Sequence, residues 1–274
     1  MILVVASNKD VASLNIQKQI LTQYDFRKTS QTFQANQSYE ATISEKNVEL
    51  ITLNEESVRA QSLPDSFSKL ELIIFISRHS SVSGTPTLSV HTPGNLAEAE
   101  LGGIPRKVSV SPANPMREAL KAMMKFKEEM QLDYEVSYES THHGPSLDVP
   151  TMFAELGSSP EQWSDVRAAE AVAHATMETV QSFGKHPVKA VLGIGGPHYN
   201  REFTRMALDK ELAFGHMIPK YAVSKVDSNM LRQSIERTLE KVETVILDWK
   251  GIKGEDKPQL VKTLNETGAS FLKS

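Results

Sequence analysis

Short apolar, β-branched runs recur along the chain at residues 2–6, 48–53, 70–76, 87–92, 107–110, 134–140, 151–156, 189–194 and 244–248. Each is closed by Gly, Pro, Asn or Ser, and that combination predicts strands. Helical spacing fills several of the intervals. Residues 114–131 place Met116, Leu120, Met123, Met124 and Met130 near one face, with Asn114 ahead of Pro115 as an N-cap. Residues 159–183 open on Ser-Pro-Glu and carry Val166, Ala169, Val172, Ala173, Met177 and Val180 at helical spacing. Residues 228–242 repeat Leu231, Ile235, Leu239 and Val242 behind a Ser or Asp cap. A last helix over 257–267 closes on Gly268. Residues 27–47 are polar with neither period and read as a surface excursion. About nine strands alternating with four or five helices predict an α/β fold, a mixed β-sheet flanked by helices. No repeat or linker divides residues 1–274, so one domain is expected.

Composition narrows the class. Hydrophobic residues make up 39% of the 274, enough for a packed core. The longest apolar run, "LIIFI" at 72–76, falls far short of the roughly 20 residues that span a bilayer. "MILVVASNKD" has no basic leader segment and reads as a strand rather than a signal peptide. The chain has no cysteine, which excludes disulfides, thiolate zinc sites and cysteine nucleophiles, and fits a cytoplasmic protein. A net charge of −4 rules out a uniformly basic surface. An RNA partner would need a local patch of cations.

The chemistry is concentrated in histidines. His174 sits mid-helix among alanines and His186 precedes a proline in a turn; both read as structural. The other six of eight follow a strand or lie in a Gly/Pro-rich turn beside one. Ligands gather at such strand ends in α/β proteins. Arg78 and His79 come directly after the most apolar strand, and an arginine there can grip a carboxylate or phosphate or steady an oxyanion. His91 shares a strand face with Ser89, ahead of a turn ending at Asn95. His142 and His143 point oppositely if extended, so one faces the site while its neighbour anchors the loop or acts from above. In "TMFAELGSS" Glu155 alternates with Phe153 and Thr151, opposite Met152, Ala154 and Leu156. It is either solvent-facing or a ligand or base. "GIGGPHY" fails the dinucleotide fingerprint, because His198 stands where the last glycine belongs. Gly195 and Gly196 are expected to let a substrate approach, with His198 and Tyr199 at the rim, and His216 and Lys220 to repeat the pattern after the next strand.

Two or three imidazoles with one carboxylate suit Zn²⁺ with a position open for water. His79, His142, His198 and Glu155 are the candidate ligands, and His142, His143, Glu155 and Arg78 the candidate catalytic groups. His91, Asn95, Gly195, Gly196, Tyr199, His216 and Lys220 are expected to contact substrate. The spacing matches no compact metal motif, so a metal-free site with one histidine as base and another as acid stands beside zinc. No G-x-S-x-G elbow occurs, which argues against a serine nucleophile.

Taken in order, "SRHSS", "GTPTLSVHTPGN", "THHGP", "FAELGSSPEQW", "GIGGPHY" and "FGHMIPKY" resemble the archaeal and plant type of D-aminoacyl-tRNA deacylase, as does the opening "MILVVASNKDVASLNI". The resemblance implies a cytoplasmic enzyme that hydrolyses the ester between a D-amino acid and the tRNA 3′ end, with zinc as its metal. It also implies a phosphorylase/hydrolase-like fold and no DNA or membrane partner, and a monomer is the expectation. His79, His91, His142, His143, Glu155, His198 and His216 match family motif positions. Lys121, Lys125 and Lys127, Arg201 and Arg205, and Lys250, Lys253 and Lys257 are the local cations available to RNA. A metallo-peptidase or amidase on the same fold, or a non-catalytic binder of RNA ends, are the alternatives.

Overall fold

The computed structural model describes residues 1–185 and 187–274. His186, expected in a turn, lies outside the described residues. The chain opens with β1 (Ile2–Ser7), α1 (Val11–Gln23), β2 (Arg27–Phe33), β3 (Asn36–Ile43), β4 (Lys46–Leu53), β5 (Leu72–Arg78) and β6 (Thr87–His91). It continues through α2 (Ala113–Glu129), β7 (Glu135–Tyr138), β8 (Thr151–Gly157), α3 (Pro160–Trp163), α4 (Val166–Ser182), β9 (Lys189–Gly195) and α5 (Arg201–Asp209). Last come β10 (Leu212–Ile218), α6 (Ser228–Glu236), β11 (Val242–Asp248), α7 (Lys257–Thr267) and β12 (Ser270–Lys273).

The α/β class holds, but the strands form two sheets. One is mixed, with order β2-β3-β4-β1-β5-β8-β6-β7, and the other is parallel, with order β10-β9-β11-β12. In the large sheet β4, β1, β5 and β8 run parallel, and β6 turns antiparallel against β8. β1 is buried at every position, as a strand covered on both faces must be. Ile2, Val4, Ile74, Ile76, Met152, Ala154, Leu88 and Val90 pack with Ile16 and Ile20 of α1, Met116, Leu120 and Met123 of α2, and Val172 and Met177 of α4. Val191, Phe203, Phe214 and Met217 of the second sheet's layer join the same cluster. The opposite face carries Leu3, Val5, Ile73, Phe75 and Phe153, covered by Ala60, Leu63 and Leu147.

Several elements differ from their sequence expectation. Residues 27–43 form a hairpin, β2 and β3, although β2 buries no residue. Its order comes from backbone pairing of β3 onto β4, with Phe33, Tyr39 and Ile43 packed half-buried against the core. Residues 107–110 make only isolated bridges. The helix expected over 159–183 breaks between α3 and α4, because Asp165 caps a new start by accepting from the Arg167 and Ala168 N–H groups. Asn114 does not cap α2; its side chain bonds Val188 and Glu240. The cap is Glu240, whose carboxylate accepts from the Ala113 and Asn114 N–H groups at 2.9 Å each. α1 and β12 carried no stated signal. Gly268 does close α7, at φ +70°. Among the described residues no helix is long and apolar enough to cross a membrane.

Candidate active site

Strand alternation sets the site's floor. Ser77 pairs with Glu155 across β5 and β8, and Glu155 with Ser89 across β8 and β6. Val136 and Tyr138 of β7 point into the helix-side cluster, which turns Ser137 and the following Glu139 to the other face. Phe75, Phe153 and His91 stack side by side on that face, with centroids 4.8 and 4.9 Å apart. At the ends of these strands a cavity of about 480 Å³ is lined by His79, Glu139, His142, His143, Glu155, His198 and Tyr199, with Arg78, Asp10 and Glu56 among its other walls.

The second sheet supplies part of the wall. Residues 198–200, between β9 and α5, run beside 138–140: the Ser140 N–H donates to His198 O and the Asn200 N–H to Tyr138 O, 2.9 and 3.1 Å. Asn200 fixes this turn, accepting from the Phe203 N–H and donating to Gly195 O. His198 and Tyr199 are thereby carried against Glu139.

Glu139 is the centre of the cluster and is fully buried. Its carboxylate lies 3.0 Å from His198 Nε2, 3.1 Å from His79 Nδ1 and 3.7 Å from His142 Nε2. Glu155 accepts from Ser77 Oγ at 2.6 Å and stands 3.7 Å from both His79 Nδ1 and His91 Nε2. Burial pushes both carboxyls up, yet the imidazoles beside them prevail. Glu139 is held well below the usual range by His198 and His79, and Glu155 is brought down to about 2 by His79 and His91. His79 shows the reciprocal effect, since burial opposes its charge but Glu139 and Glu155 raise it to about 10. His142 and His143 are driven the other way by burial and by neighbouring imidazoles, His142 well below its ordinary value and His143 to about 4. The site thus holds an imidazolium between two carboxylates, next to neutral imidazoles.

Hydrogen bonds fix the rings. His142 Nδ1 meets Ser140 O at 2.8 Å, which leaves Nε2 as the lone-pair nitrogen facing Glu139. His198 Nδ1 meets the Tyr221 hydroxyl at 3.2 Å. His79 Nε2 meets the Tyr199 hydroxyl at 2.9 Å, and Trp163 Nε1 donates to His79 O. Two sets of atoms carry unfilled capacity. Both ring nitrogens of His91 are buried without a hydrogen bond, which a folded protein rarely tolerates, and Glu139 Oε1 has only its ion pair with His79 Nδ1. Three ligand sets close enough to share one ion are present: Glu139, His142 and His198; His91, His142 and His143; His79, Glu139 and Glu155. Imidazole nitrogen and carboxylate oxygen are donors zinc accepts, so the residues fit the ion.

Of the expected residues, His79, His142, His143, Glu155, His198 and Tyr199 converge on the cavity, with His91 packed behind it against His142 and His143. Arg78 reaches only the rim, where its guanidinium pairs with Glu56 at 2.8 Å, donates to Lys9 O and lies over Trp163. The rest do not line this cavity, although Asn95 lines a neighbouring hollow. His216 is buried, bonding Thr141 Oγ1 and Arg237 O, and Asn95 donates to Gly102 O. Gly195 and Gly196, at φ +111° and +73°, let the turn close on Asp248 and Asn200. Lys220 uses its N–H on Gly196 O. The expected cation clusters are partly answered by acids: Lys121 by Glu118, Lys125 by Glu178, Arg201 by Glu135 and Arg205 by Glu202. Glu139 was not singled out from the sequence. Its signal was the alternation of "EVSYE", which puts it on the face of Ser137, three residues before His142.

Comparison with known proteins gives the same picture from outside the site. A family model described as D-aminoacyl-tRNA deacylase matches residues 66–272. A D-aminoacyl-tRNA deacylase of Pyrococcus furiosus is 38% identical over 271 residues, covering 96% of both chains. One of Thermococcus kodakarensis is 36% identical over 276 residues, covering 98% of both. The crystal structure of a conserved protein of unknown function superposes with TM-score 0.88 at 29% identity, over 100% of this chain and 95% of the other.

Proposed function

We infer, for a chain that belongs to the D-aminoacyl-tRNA deacylase family, that it hydrolyses the ester joining a D-amino acid to the 3′ end of tRNA, releasing both and so correcting chirality. The carrying observation is the convergence of His79, Glu139, His142, His143, Glu155 and His198, from separate chain segments, on one cavity. The rest of the proposal is finer. Residues 1–274 act as one domain, supported by the apolar cluster that both sheets share. The enzyme works in the cytoplasm as a monomer, and its metal is zinc.

Glu139, His142 and His198 would hold the ion: a carboxylate and two imidazoles whose outer nitrogens are already fixed. Bound there, zinc supplies a Lewis acid that brings attacking water's pKa toward neutrality. His79 keeps its charge between Glu139 and Glu155, so its Nε2–H donates to the Tyr199 oxygen. Burial raises the Tyr199 pKa, and the phenol keeps its own proton to donate into the cavity. That proton is placed to meet the oxyanion that develops when the ester carbonyl is attacked. His143 stays neutral and is the imidazole available to accept a proton from water. Selection of the D form rests on cavity shape, an L side chain misplacing its carbonyl.

Steady-state hydrolysis of D-tyrosyl-tRNA against L-tyrosyl-tRNA tests the reading. Turnover of the D ester alone is expected, and equal rates or no turnover of the D ester overturns it.

A further inference from the structure

A second hollow, of about 350 Å³, lies across His142 and His143 from the first, and those two rings and Leu101 line both. The site therefore has two chambers that meet at one pair of imidazoles. Their walls differ. Asp10, Glu56, Glu139 and Glu155 face the first, with Arg78 and the imidazolium of His79 as its cations. Leu96, Ala97 and Ala222 face the second, together with the Tyr221 ring and Lys225. Its acids, Glu98 and Glu100, are exposed to solvent. Tyr221 is 52% exposed, yet its ring is held 22° from the plane of His198 by the hydroxyl bond to Nδ1. Lys225 is exposed and makes no ion pair among the described residues.

An ester carried on a terminal nucleotide needs two receptacles, one on each side of the bond to be cut. A carboxylate of the first chamber can receive an aminoacyl ammonium, while the second chamber offers an exposed aromatic face and a lysine. Any base can stack on a tyrosine face, and a lysine holds a phosphate as a point charge. We propose that the second chamber receives the terminal nucleoside of the substrate, with its base on the Tyr221 ring and its phosphate beside Lys225, while the acyl group occupies the first. This rests on the deacylase reading.

Kinetics with D-tyrosyl-tRNA separate the ring from the hydroxyl. Tyr221→Phe keeps the stacking face but frees His198, so kcat falls and KM stays within about twofold. Tyr221→Ala loses the face as well and raises KM by about 5- to 100-fold. Lys225→Ala lowers the slope of log KM against log salt by about 0.7, as expected for one single-strand phosphate. Adenosine 5′-monophosphate should inhibit the unaltered protein competitively and Tyr221→Ala correspondingly less. If both Tyr221 variants share one KM and the nucleotide inhibits them alike, the assignment of the chamber is overturned while the deacylase reading stands. If the unaltered protein leaves D-tyrosyl-tRNA intact, the deacylase reading itself is lost.

Discussion

At Glu139 three imidazoles from three chain segments share one carboxylate that water does not reach. Glu139→Gln keeps the shape and removes the charge on which His79 depends. We expect kcat to drop about 100-fold or more, on the scale of losing one preorganised electrostatic partner. Zinc content by elemental analysis should fall with it, and circular dichroism should not change. Two of the four residues expected to be catalytic, His143 and Glu155, now separate. His143 lines the cavity, so His143→Ala should cost turnover with little cost in melting temperature. Glu155 is buried under His79, His91 and Ser77, and removing it takes away one of the two carboxylates that hold the His79 imidazolium and the carboxylate beside His91. Breaking such a pair costs about 3–5 kcal/mol, or roughly 10 °C in Tm, read by calorimetry on Glu155→Ala. A Tm within 2 °C of the unaltered protein would contradict that role.

Among the elements, helix starts were the least legible. Asn114-Pro115 has the composition of an N-cap, but α2 is capped from more than a hundred residues away by Glu240. Cap propensity is local, and a distant carboxylate leaves no mark near the helix it serves. Glu240→Ala should lower stability by about 1–2 kcal/mol in urea titration, with KM and kcat unchanged, because the cap lies outside the cavity walls. The hairpin of β2 and β3 was invisible for a related reason. The edge strand β2 satisfies its backbone on β3 and leaves most of its side chains in water, and the few apolar contacts of the hairpin, Phe33, Tyr39 and Ile43, are too sparse to show a period of 2 or 3.6.

In the molecule as a whole, the catalytic wall crosses the seam between two sheets. His198 and Tyr199 come from the second sheet, and Thr141 of the first bonds the Met217 N–H and His216 of β10. Burial holds His216 down at about 4, although it would titrate near 6.5 when unfolded. A group with a depressed basic pKa favours the folded state fully above 6.5. That preference is lost as the pH falls toward 4, since the unfolded chain takes up the proton first. The span corresponds to about 3 kcal/mol. Urea midpoints at pH 7 and 4.5 should therefore fall less between the two pH values for His216→Gln than for the unaltered protein. An equal fall would show that His216 is not buried neutral at the seam.

The sequence by itself determined the α/β class, most of the core strands and the set of turns that carry imidazoles. Those properties are written in local periodicity and in which residues follow a strand. It also carried the family resemblance, which the comparisons bear out over nearly the whole chain. Only the tertiary structure decided which imidazoles meet. His216 and His198 were both expected just past a glycine-containing strand, yet His216 lies within β10 as a buried strut and His198 beside Glu139. The difference arises because charge and hydrogen bonding act through space across paired strands, and register between distant segments is set by the packing of both sheets together.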